Sequence, residues 1–129
     1  MRRTELALVL AGLLGAGGVA DGALAAHVAG GSGPLVDASK IMLTHAAAIT
    51  GLVALRRAEP TAFGAVGIVA VAMGLAAAVF GGDLTLFAFT GSHLFPMAAP
   101  IGGSALIAAW LALVVVVVAG RLRRGEPPT

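Results

Sequence analysis

Between Lys40 and Arg56, between Glu59 and Asp83, and again between Asp83 and Arg121, the chain carries no charged side chain. From Leu6 to Val28 the only formally charged residue is Asp21. A soluble domain carries roughly 25% charged residues to cover its water-facing surface. This chain of 129 residues carries 11%, with 59% hydrophobic residues and a mean hydropathy of +1.02. Its solvent must therefore be lipid. The expected fold is all-α: a polytopic membrane protein whose four transmembrane helices pack as a compact bundle. A single domain covers residues 1–124, and residues 125–129 form a disordered tail.

The apolar segments place the helices at about 5–28, 37–55, 61–90 and 100–120. A spanning helix needs about 20 apolar residues at 1.5 Å each, which the first and fourth segments meet comfortably. The third, at about 29 residues, would reach roughly 43 Å across a core of about 30 Å. It must tilt, project from the bilayer, or break near Gly81-Gly82. Pro60 and Pro100 suit the first turns of segments three and four. Asp37 suits the N-cap of segment two, after a short flexible loop from Gly30 to Pro34.

Charge gives the orientation. With four spans, Arg2 and Arg3, Arg56 and Arg57, and Arg121, Arg123 and Arg124 all fall on one side, and only Lys40 falls on the other. The positive-inside rule puts both termini in the cytoplasm. The sequence pI of 10.5 is no nucleic-acid signal, because no basic stripe carries interleaved aromatics. No cysteine is present, which excludes disulfides, zinc–thiolate and iron–sulfur sites.

Ala23-Leu24-Ala25 has the small-x-small form of a signal-peptidase site. Retention of the first helix is nevertheless expected, since a ladder of Gly18, Gly22 and Ala26 runs through that site. Lipid provides no hydrophobic drive for pairing helices, so close van der Waals contact between small residues must supply it. The third segment offers Gly67, Gly74 and Gly81 a heptad apart, and the fourth opens with Gly102-Gly103. The glycine face of the third segment would also suit a homo-oligomer.

The remaining ionisable groups gather toward the extracytoplasmic half: Asp21, His27, His45, Asp83 and His93. Each is costly in a bilayer unless paired or wetted, so the group is a candidate site. One reading is a hydrogen-bonded cluster that fixes helix register. Another is a site for protons or cations, with histidine titrating near neutrality. A metal site lacks the tight His-x-x-His or Glu-x-x-His spacing it would need, and no cofactor is expected. Ser39, Ser92 and Ser104 lack a nucleophile-elbow context, so an enzyme is not expected.

Further landmarks resemble the small membrane family called domain of unknown function 423, which includes YgdD-like and transmembrane protein 256-like proteins. The family's Gly-Ala-aromatic-Gly-Ala-His element is matched by Gly22-Ala23-Leu24-Ala25-Ala26-His27. Its Tyr-Gln-x-x-His is matched by Ile41-Met42-Leu43-Thr44-His45. Its Phe-Ser-Gly-Ser-Leu-Tyr is matched by Phe80-Gly81-Gly82-Asp83-Leu84-Thr85. Its Thr-Pro-x-Gly-Gly and following Trp are matched by Ala99-Pro100-Ile101-Gly102-Gly103 and Trp110. This chain has no tyrosine, Met42 replaces the amide, and Asp83 takes a serine position. The resemblance implies a four-helix inner-membrane protein and assigns no activity.

Taken with the residues, this leads to an expected function: a non-enzymatic accessory or scaffold protein with a polar His/Asp cluster on its extracytoplasmic side. The alternative is a small proton- or cation-coupled transporter or channel using Asp21, His45 and Asp83. The expected partners are the lipid bilayer and a membrane protein or second copy, with no nucleic acid.

Overall fold

The computed structural model describes residues 1–28, 33–61 and 63–124. The expected tail at 125–129 and the loop residues Gly30, Gly31 and Ser32 lie outside them. The described residues form four helices: α1 (Arg3–His27), α2 (Gly33–Ala58), α3 (Val66–Thr90) and α4 (Ala98–Arg124). Each is long and apolar enough to cross a membrane.

Two helix starts differ by four or more residues from the expected ones, and α2 and α4 run on to Ala58 and Arg124. α2 begins at Gly33, with Pro34 in its first turn, where a missing N–H breaks no helical bond. Asp37 is therefore an exposed residue one turn inside the helix, not its cap. α3 begins at Val66, after turns in which Phe63 N–H donates to Glu59 O and Val66 N–H to Phe63 O. Pro60 thus belongs to the link between α2 and α3. At 25 residues, α3 passes through Gly81-Gly82 unbroken. The excess length of segment three is taken up before the helix starts, not by a break near its end.

α3 stops at Gly91, whose left-handed φ of 67° lets its N–H return to Phe87 O at 2.9 Å. α4 starts after Met97, a non-glycine residue also at φ 67°. At the other end, the Glu5 carboxylate accepts the Arg2 backbone N–H at 2.9 Å and ties down the first turn of α1.

Close approaches define how the helices run. As α1 advances from Gly18 to Gly22, its α2 neighbour falls back from Leu43 to Ser39, so the pair is antiparallel. α2 and α3 are antiparallel too, with Met42 against Gly81 and Ile49 against Gly74. α1 and α3 run parallel: Arg3 lies by Gly67, Leu10 by Gly74, and Asp21 by Thr85. These three helices contact one another, whereas the α4 backbone approaches only α3. The arrangement is a three-helix core with α4 laid along one side, and α3 is the most buried helix. The core is built largely from small side chains, among them Ala7, Ala11, Ala70 and Ala77, around Ile49 and Met73.

Glycines set the separations where backbones come closest. A Cβ at Gly102 would lie 2.8 Å from the Phe80 backbone nitrogen and 3.0 Å from its Cα. A Cβ at Gly18 would lie 2.8 Å from Leu43 Cγ and 3.1 Å from its backbone nitrogen. Neither backbone can retreat without moving its helix.

Candidate functional site

The parallel register of α1 and α3 brings Asp21 to Thr85. The Thr85 hydroxyl donates to Asp21 Oδ2 at 2.7 Å, and Asp21 is 4% exposed. The same hydroxyl lies 2.9 Å from Gly81 O on its own helix. With a single proton to give, it favours the shorter contact. On the neighbouring interface, the buried Ser39 hydroxyl of α2 donates to the Gly18 carbonyl of α1 at 2.7 Å. Gly22 makes room for it, since a Cβ there would stand 2.9 Å from Ser39 Oγ.

His45 is the thirteenth residue of α2, about 18 Å along the helix from Gly33. The longer helix thus places it deeper than a start at Asp37 would. Its Nδ1 is 2.7 Å from Ile41 O, and its Nε2 is 3.3 Å from Trp110 Nε1 on α4. A carbonyl only accepts, and an indole N–H only donates. The two partners together require the proton on Nδ1 and a lone pair on Nε2. Neutral imidazole in that tautomer satisfies both contacts. The rings meet edge-on, with centroids 6.1 Å apart and planes at 61°.

Asp83, near the end of α3, is fully buried. Its Oδ1 accepts the Leu94 backbone N–H at 2.7 Å, and its Oδ2 accepts from His93 Nδ1 at 2.8 Å. The His93 ring stacks on Phe87, with centroids 4.7 Å apart and planes at 14°. One carboxylate thereby ties two consecutive residues of the α3–α4 connection to α3.

The five ionisable groups singled out in the sequence do not form one cluster. Asp21, His45 and Asp83 are buried in three separate hydrogen-bonded sets, and His93 joins the third. His27 is exposed at the last residue of α1 and takes part in none of them. Among the described residues, no three His, Asp or Glu side chains converge as a metal site would require. No buried side-chain nitrogen or oxygen among them lacks a hydrogen-bond partner.

Sequence reasoning missed the partners: Thr85 for Asp21, Trp110 for His45, and Ser39 as a link between α1 and α2. Trp110 stood out as a motif residue, but its tie to His45 depends on how α4 lies across the core. Thr85 comes opposite Asp21 through the register of α1 on α3, which sets Arg3 by Gly67 and Leu10 by Gly74.

A family model described as "Protein of unknown function (DUF423)" matches residues 21–103. That span includes Asp21, His45, Asp83 and Gly102, and it ends before Trp110. No curated protein and no solved structure matches the chain.

Proposed function

The chain belongs to the DUF423 family, and from that premise we propose that it is a non-enzymatic accessory or scaffold protein of the bacterial plasma membrane. It crosses the membrane four times with both termini in the cytoplasm, and it presents its polar end outward to a membrane-protein partner or a second copy. The arginine distribution supports the orientation: Arg2, Arg3, Arg56, Arg57, Arg121 and Arg123 lie at one end of the helices and Lys40 at the other.

One observation carries the reading. Among the described residues, every buried polar side chain is spent on holding the fold together: Asp21 on Thr85, Ser39 on Gly18, His45 on Ile41 and Trp110, and Asp83 on Leu94 and His93. A proton relay needs groups that can gain and lose partners along a wetted path. His45 instead has each ring nitrogen held by a partner that suits one tautomer. Likewise, the Ser39 hydroxyl proton points at a backbone carbonyl and not at a base, which leaves it unactivated as a nucleophile.

The test is purification in mild detergent followed by native mass spectrometry. A membrane-protein partner or second copy retained in fixed ratio supports the scaffold role. A solitary chain that catalyses ion flux in vesicles would replace it with the transport reading.

A further inference from the structure

The opposite end of the molecule holds a second feature. α1 and α3 start there and α2 ends there. Arg2 and Arg3 from the start of α1 and Arg56 and Arg57 from the last turn of α2 line one cleft of about 770 Å³. Arg56 Nε donates to Gly64 O at 3.2 Å, which seats that guanidinium against the α2–α3 link. Glu5 is the one carboxylate on the cleft wall, and its Oε2 already accepts the Arg2 backbone N–H. Among the described residues, the only ion pair in the molecule is His93–Asp83, so none of these four arginines is paired with a carboxylate.

Four like charges around one cleft repel one another, the more so the closer they stand relative to the Debye length of about 8 Å at physiological salt. An anion bound between them offsets that repulsion. Guanidinium forks match phosphate oxygens bidentately. The positive ends of the α1 and α3 dipoles lie at this end of the bundle, partly offset by the negative end of α2.

We propose that this cleft binds the phosphate headgroup of an anionic phospholipid. The assignment to lipid follows from where the cleft lies, at the helix ends where the apolar spans begin. Val9, Leu55 and Ile68, each within about a turn of a cleft residue on the same three helices, are exposed, so apolar surface for acyl chains lies close to a headgroup held by the arginines. Basic recesses between membrane helices are suited to such headgroups.

The experiment compares wild type with two doubly substituted proteins, each losing two positive charges at the same end of the molecule. One is Arg3→Gln with Arg57→Gln in the cleft. The other is Arg121→Gln with Arg123→Gln, outside it; Arg123 lines a separate recess beside Thr61 and Val115. Retention of phosphatidylglycerol against phosphatidylcholine is read by native mass spectrometry, with inorganic phosphate as competitor. Wild type is expected to prefer phosphatidylglycerol about tenfold, and the cleft variant to lose that preference while the control keeps it. Equal loss in both variants would reduce the effect to general surface charge and overturn the proposal. Competition by millimolar inorganic phosphate would overturn the lipid assignment in favour of a soluble anion. Equal retention of both lipids by wild type alone also refutes the proposal, whatever the variants do.

Discussion

The indole N–H of Trp110 on α4 reaches Nε2 of His45 on α2 at 3.3 Å, although the α2 and α4 backbones nowhere come within 8 Å of each other, Cα to Cα. The α4 backbone approaches α3 alone, so this bond ties α4 to a second helix of the core. Trp110→Phe keeps the ring and deletes the donor. It should cost about 0.5–1.5 kcal/mol of stability, measured by unfolding in detergent. In wild type, nitrogen-15 NMR of His45 should show the proton on Nδ1. Finding the Nε2–H tautomer would contradict the assigned bond.

Alanine substitutions should separate the glycines by what a new Cβ meets. At Gly102 it meets the Phe80 backbone, so Gly102→Ala should cost about 1–3 kcal/mol as α4 is pushed off α3. At Gly81 it meets Met42 Cγ and Cε at 2.7 Å, a flexible side chain that can yield, so the cost should be smaller. At Gly12 nothing lies within 4 Å, and Gly12→Ala should be neutral or slightly stabilising. Thermal denaturation in detergent tests this order.

Asp83 should control the α3–α4 connection. Asp83→Ala removes both the Leu94 and the His93 contacts, and should markedly accelerate proteolytic cleavage between Gly91 and Met97. His93→Ala leaves the Leu94 bond in place and should accelerate cleavage far less. Equal acceleration in the two variants would assign the clamp to the His93–Asp83 contact alone, the one interaction lost in both.

Asp21 and Thr85 should be energetically coupled. Thr85→Val removes the hydroxyl at constant shape and strands a buried carboxylate. A double-mutant cycle with Asp21→Ala should return a coupling of about 0.6 kcal/mol and at most about 1.7 kcal/mol, the mean and maximum for hydrogen bonds between membrane helices. Additive effects would mean that the 2.7 Å contact contributes nothing.

Much of the fold was legible because lipid exposure writes long uncharged runs into a sequence, and four such runs gave the four helices. Their ends were less legible. Asp37 looked like a cap, but Pro34 supplied an earlier start, and Pro60 looked like a first turn, although α3 begins only at Val66. The buried polar residues could be named from their cost in a bilayer. Their grouping could not, because it depends on registers between helices distant in sequence. Asp21 meets Thr85 across 64 positions and His45 meets Trp110 across 65. A single polar cluster was therefore expected where three separate locks exist.

The central claim is that these buried groups bind helices together and do not carry ions. Reconstituted vesicles under an imposed pH gradient and membrane potential test it most directly, with wild type and Asp21→Asn measured for both flux and stability. The account predicts no proton or cation flux above that of protein-free vesicles, and a lower unfolding temperature for Asp21→Asn. Flux by wild type that Asp21→Asn abolishes at unchanged stability would contradict it.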